Sequence, residues 1–520
     1  MIVLPVAMHE WLYPDELPEN ALQAVRLKTA RGGNCGFQVR LSAMAAGTLR
    51  ARFTAAAPIR AEIFQELPVR VQQNTGVHGF TTDWNTAKDY ATRPAPFSVY
   101  DALLPLSDEG VSVDGDAALY IALRAETAME PGTYAARLTL SLGEEEAEIP
   151  FTVEVAPAAL PAESLRITNW FSLKNMADAH GVKAWSEDHW RMIERYGRMM
   201  RRMHQNVFWL TADTVIAARA ADGGYTFDFS HRERLIRLYL AMGFETIEGA
   251  PLYHRTSWDS CEFLITAPEG DVPALSPEGY DYAVAYLRAW NAFLRKNGWY
   301  ERTIQHVGDE PHARCGSEYR ILSGVVRKML PGMKLIDAIE THELRGAVDI
   351  WVPKNDYYAT HQAEMETLRR QGDELWYYTC CIPGGHYCNR LLDFPLLRTR
   401  MLFWGNYRYD LTGYLHWGLN HWRGDPFTET CPTNGPVNFL PAGDTNIVYP
   451  LGERVLSSMR AEASRCGAED YELLRALAER DKAAADAICR AVFRAFDDCD
   501  NAPETFEETH SRLLDALQNA

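Results

Sequence analysis

The chain has 520 residues, 47% of them hydrophobic and 23% charged. Single cores stop growing near about 250–300 residues, so several packed units are expected. A formal charge of −18, from 70 acidic and 52 basic residues, disfavours nucleic acid or another polyanion as partner.

At the amino end, Met1-Ile2-Val3-Leu4-Pro5 lacks a basic region and breaks its apolar run with Pro5. A secretory signal is therefore not expected, and the cytoplasm is the expected location. Up to about residue 160, short period-two runs recur. Gly36 to Leu41, Thr48 to Phe53, Ala118 to Leu123, Tyr134 to Leu140 and Glu146 to Val155 read as strands. Turn residues such as Pro131-Gly132 separate them, so 1–160 is predicted to be an N-terminal β-sandwich. Pro157 to Glu163 reads as a linker.

Beyond it the texture changes. Ser186 opens a helix carrying Trp190, Ile193 and Met200 at helical spacing; Ser276-Pro277 opens another, which Asn297-Gly298 closes. Eight short apolar runs alternate with such helices: 165–170, 206–210, 244–247, 303–307, 335–339, 348–352, 375–379 and 413–417. Eight strand–helix units predict a TIM-type (β/α)8 barrel over 161–445, followed by a C-terminal helical region over 446–520. No stretch approaches the ~18 apolar residues of a membrane span. Ten cysteines without a CxxC pair show no structural zinc spacing, so neither metal nor cofactor is expected.

In such a barrel, functional groups sit at the carboxyl ends of the strands. Aromatic residues crowd those ends here, and the apolar C–H faces of sugars stack on aromatic rings. Trp351, Tyr378 and Trp417 are the expected sugar-lining residues, and His306, His342 and Asn420 the expected hydrogen-bonding partners of its hydroxyls. Asp309 and Glu310 are adjacent carboxylates at the end of the fourth strand. Two neighbouring acids raise one another's proton affinity, so one can remain protonated near neutral pH. Gly308 is expected to admit close approach of a ligand, and Pro311 to hold Glu310 extended.

These acids fit two mechanisms. A double-displacement glycosidase needs a second carboxylate about 5–5.5 Å from the first, and Glu340 is the evident candidate, because the seventh strand ends Tyr378-Thr379-Cys380 without an acid. Alternatively, a 2-acetamido group on the substrate attacks its own anomeric carbon. One acid then protonates the leaving oxygen while its neighbour orients the acetamido nitrogen. A non-catalytic carbohydrate-binding protein is a third reading, disfavoured by the acid pair.

Gly308-Asp309-Glu310-Pro311 resembles the catalytic pair of glycoside hydrolase family 123, whose characterised members are β-N-acetylgalactosaminidases. It is also similar to the His-x-Gly-Gly-Asp-Glu signature of family 20 hexosaminidases, with His306 and Gly308 in related places. The longer likeness to family 123 runs from Trp376-Tyr377-Tyr378 through Asn389-Arg390-Leu391, Arg398-Thr399-Arg400 and Trp404-Gly405-Asn406-Tyr407 to Gly413-Tyr414-Leu415-His416-Trp417-Gly418, with Glu469-Asp470-Tyr471-Glu472 near the end. The resemblance implies a sandwich plus barrel and a retaining, substrate-assisted release of terminal β-linked N-acetylhexosamine. Glu310 would be the general acid/base and Asp309 the acetamido-orienting residue. A glycan or glycoside is thus the expected partner, and a homo-oligomer is compatible with the sequence.

Overall fold

A computed structural model describes residues 1–81 and 88–519. The chain divides into two compact units that interleave in sequence. One comprises Met1–Leu165, Cys381–Tyr409 and Asn420–Ala520; the other comprises Arg166–Cys380 and Asp410–Leu419.

The first unit is built on a large sheet whose ten strands are joined by hydrogen bonds. Its longest strand, Asn34–Ala55, pairs with Ile2–Ala7, Val111–Ala125 and Gly132–Leu142. It can serve so many partners because its register slips between Leu41 and Met44 and again before Gly47. Ala43 takes a φ of 54° within the first slip, and such bulges bend a strand and steepen its twist. Alternate residues Val39, Leu41, Leu119, Ile121, Leu138, Leu140 and Val153 fill one apolar core. Arg454–Ser458, from far along the chain, extends this sheet by pairing with Phe97–Pro105.

Three helices, Leu397–Tyr409, Met459–Val492 and Pro503–Asn519, complete the unit. Asp470 accepts two hydrogen bonds from Arg400, at 2.6 and 2.8 Å, and a third from the Trp404 indole. The Arg400 guanidinium, with His510, holds its carboxyl well below the ordinary range despite burial. Glu472 accepts from the amides of Ser164 and Leu165. The motif Glu469-Asp470-Tyr471-Glu472 and its partner Arg400 are therefore architectural.

In the second unit, parallel strands alternate with helices. Arg166–Asn169, Gly413–His416 and Tyr377–Tyr378 form one three-stranded ladder; Val207–Leu210, Thr246–Gly249 and Thr303–Gln305 form another; Ile336–Ile339, Ile350–Pro353 and Glu374–Leu375 form a third. Single parallel bridges, Gln305 to Leu335 and Lys354 to Tyr378, join the second ladder to the third and the third to the first. Each of the eight expected runs overlaps a strand. The inward cluster contains Val207, Ile304, Ile336, Val352, Trp376 and Leu415. The helices start and stop where their capping residues stand. Ser186 and Ser276 accept from the amides of His189 and Gly279, and Gly298 closes its helix in the left-handed conformation at φ 71°. Among the described residues, no helix is long and apolar enough to cross a membrane.

Candidate active site

The carboxylate pair lies in the second unit, on the turn that follows the strand Thr303–Gln305. Both residues are half-buried. Glu310 is not extended, as Pro311 led one to expect, but has a φ of 46°. A left-handed glutamate before proline is costly and persists only where its surroundings hold it. Two partners do so here. Arg255 donates to the carbonyls of Asp309 and Glu310, at 3.2 and 2.8 Å, and the Tyr378 hydroxyl donates to the Glu310 carboxylate. Gly308 is required by packing. A Cβ there would meet the Phe263 ring at 2.7 Å.

Beneath the turn is a buried charge cluster. His306 stands between Asp337, 2.7 Å from Nδ1, and Glu248, 2.8 Å from Nε2, and all three side chains are inaccessible to solvent. Burial alone would discharge the imidazole, but the two carboxylates overcome it and push its pKa up to about 10. As an imidazolium it donates from both nitrogens. The second oxygen of Asp337 accepts from the amides of Val307 and Gly308, at 3.0 and 3.2 Å, and from the Tyr319 hydroxyl. Asp337 thus ties the histidine to the peptide that carries Asp309. Glu248 accepts from the Trp170 indole at 2.8 Å and from Thr168 at 2.5 Å. Trp170 stacks on Trp209, centroids 4.2 Å apart, and both rings meet His306 edge-on.

This environment sets the protonation of the pair. Burial, reinforced by Glu310 and Asp337, pushes Asp309 up to about 8 against the pull of His306 and Arg255. Burial also raises Glu310, opposed by the Lys354 ammonium and the Tyr378 hydroxyl and aided by Glu340. Glu340 itself is paired with Lys354 at 2.7 Å. Two adjacent acids whose proton affinities are both raised by burial are suited to general acid/base work.

The other expected residues divide. Tyr378 meets Glu310 directly. Trp417 is half-buried just beyond the strand Gly413–His416, whose His416 carbonyl accepts from the Trp170 amide at 2.8 Å. His306 has no face left for a sugar, since both ring nitrogens are engaged by buried carboxylates. Trp351 also departs from expectation. It is fully buried, and its indole donates at 2.9 Å to Asp373, which precedes the strand Glu374–Leu375 and so lies toward the amino ends of the strands. Period-two alternation puts Val352 in the inward cluster and Trp351 on the opposite face. His342 bonds the Tyr357 hydroxyl at 2.9 Å and packs on His361. Asn420 belongs to the first unit, where it bridges Asn446.

Glu248, Asp337, Arg255 and Lys354 are the members that strand-end reasoning missed. Two had a signal. Thr246-Ile247-Glu248-Gly249 and Ile336-Asp337-Ala338-Ile339 each carry a lone acid inside a short apolar strand, and a charge placed there must be paired. Arg255 lies in a loop and Lys354 directly follows the strand Ile350–Pro353, and their partners are set only by the fold.

Residues 170–477 match the family model of the glycoside hydrolase 123 catalytic domain. Among solved structures, a family 123 glycoside hydrolase from Clostridium perfringens, described for glycolipid glycan hydrolysis, superposes with a TM-score of 0.74. That match covers 100% of this chain and 98% of the other at 12% identity, a likeness of fold. An endo-β-1,4-mannanase from Thermotoga petrophila gives a TM-score of 0.38 at 11% identity, covering 60% of this chain and 77% of its own. A β-glucuronidase from Parabacteroides merdae gives 0.35 at 11% identity, covering 86% and 52%. No curated protein sequence matches the chain.

Proposed function

The chain belongs to glycoside hydrolase family 123, and on that premise we propose that this glycosidase releases terminal β-linked N-acetylhexosamine, N-acetylgalactosamine foremost, with retention and by substrate-assisted catalysis. The observation that carries this reading is the adjacency of Asp309 and Glu310 on one constrained turn, both with raised proton affinity. Asp309 and Glu310 would act at the carboxyl mouth of a (β/α)8 barrel, into which we read the three parallel ladders and their bridges.

In this mechanism Glu310 protonates the glycosidic oxygen as the acetamido carbonyl oxygen attacks the anomeric carbon and the bond to the aglycone breaks. The cation that forms is an oxazolinium. Asp309 accepts from the acetamido nitrogen and, as an anion, stabilises the charge that develops there. Burial makes Asp309 costly to ionise in the free enzyme, so it gives its proton up to solvent as the acetamido N–H docks against it, and the anion is compensated once the cation appears. Water then opens the ring, and the Glu310 carboxylate takes its proton. Trp170, Trp209 and Trp417 would supply apolar surface to the sugar ring. Glu340 is held by Lys354 and needs no covalent role.

The test is a panel of aryl β-glycosides with and without the 2-acetamido group, assayed with wild type and Asp309→Asn. Activity should require the acetamido group. Asp309→Asn should lower kcat by about 10²-fold or more with a modest change in KM. A 2-fluoroglycoside that traps a covalent adduct on Glu340 would overturn the reading in favour of double displacement.

A further inference from the structure

Between the strand Thr246–Gly249 and the hairpin of Leu264–Ala267 with Gly270–Pro273, the chain makes a closed loop. His254 and Leu264 seal it by exchanging both backbone hydrogen bonds, at 3.0 and 2.8 Å. Arg255 holds it from within, its guanidinium donating to the carbonyls of Trp258 and Ser260 at 2.9 and 3.3 Å. The same guanidinium holds the carbonyls of Asp309 and Glu310. His312, two residues past Glu310, donates to the Trp258 carbonyl at 3.0 Å. The backbone of Trp258 is therefore fastened twice to the catalytic turn, while the side chain is 60% exposed. Its ring centroid lies 5.7 Å from the Arg255 guanidinium carbon.

A solvent-exposed indole on a backbone fastened at two points is unusual in a loop whose apex is otherwise polar. Thr256, Ser257 and Asp259 flank it, and Asp259 pairs with Arg314. Fastening costs conformational entropy, and the exposed ring gains nothing from water. An apolar face ringed by hydroxyls and charge has the composition that receives a pyranose, whose C–H face covers the ring while its hydroxyls meet the rim. Two other aromatic residues of the site, Trp170 and Trp209, are stacked on each other and meet His306 edge-on.

We propose that Trp258 is the platform of an aglycone subsite, binding the sugar from which the terminal residue is cleaved. The proposal rests on the acetamidohexoside reading above. Arg255 couples the two functions, because one guanidinium sets both the platform and the backbone of the acid.

The experiment compares two substrates in wild type and in Trp258→Ala. One is a β-linked N-acetylhexosaminyl disaccharide, which places a pyranose on the platform. The other is the N-acetylhexosaminyl fluoride, whose leaving group is too small to reach it. Covering an exposed aromatic ring contributes enough to change kcat/KM by about tenfold or more. Trp258→Ala should therefore lose at least about tenfold more kcat/KM on the disaccharide than on the fluoride, and Trp258→Tyr should recover most of that difference. Equal losses on both substrates, or none on the disaccharide, would overturn the platform while leaving the acetamidohexoside reading intact. A wild type that cleaves neither substrate would overturn that reading and the platform with it.

Discussion

Asp337→Asn probes the point where the buried charge cluster meets the backbone of the carboxylate turn. Asp337 is inaccessible and accepts four hydrogen bonds, from His306, two amides and a tyrosine hydroxyl. Asparagine preserves the shape but replaces one oxygen with a donor, so one of these four donors must face another donor. The rise of His306 from 6.5 to about 10 corresponds to roughly 5 kcal/mol of preference for the charged ring, shared between Asp337 and Glu248. Removing one partner of a buried ion pair costs about 3–5 kcal/mol, a large part of the ~5–15 kcal/mol that keeps a protein folded. The urea midpoint should fall accordingly with an unchanged slope. Because the side chain that anchors the amides of Val307 and Gly308 loses its charge, kcat should fall more than KM rises. Combining the change with His306→Gln removes the buried ring that has lost one of its two carboxylate partners and should restore part of the lost stability. A variant with the wild-type midpoint and wild-type kcat would refute the claim that this cluster positions the turn.

Two further outcomes follow from the same geometry. Asp309 has a folded pKa above its unfolded value, so its contribution to stability is complete below the ordinary carboxyl range and is lost as pH rises through about 8; His306 has the same sign and loses its contribution toward about 10. Melting temperature should therefore decline from just above the ordinary carboxyl range up to about 10, and Asp309→Asn should flatten the part of the decline below about 8; a flat wild-type profile would contradict both assignments. Trp351→Ala should cost about 3–5 kcal/mol of stability with little change in KM, whereas Trp417→Ala should raise KM while retaining the melting temperature. Exchange of those two phenotypes, read by thermal melts and saturation kinetics, would reverse their roles.

Local sequence determined much of this protein. Period-two runs, serine caps and the glycine after Asn297 marked the strands and helices, because these signals act over a few residues and need no distant partner. The acid pair was legible for the same reason, since Asp309 and Glu310 are neighbours in the chain. Tertiary structure decided what adjacency cannot express. The left-handed φ of Glu310 is held by Arg255 and Tyr378, each more than fifty residues away, against the local preference set by Pro311. His306 looked like a sugar ligand at a strand end, yet Glu248 and Asp337 on the flanking strands claim both its nitrogens. The strand end alone could not say which face Trp351 takes. Likewise the strand Arg454–Ser458 joins a sheet formed mostly by the first 160 residues. Hydrogen bonds and charge pairs act through space, and a folded chain brings together groups whose separation along the sequence carries no trace of their contact.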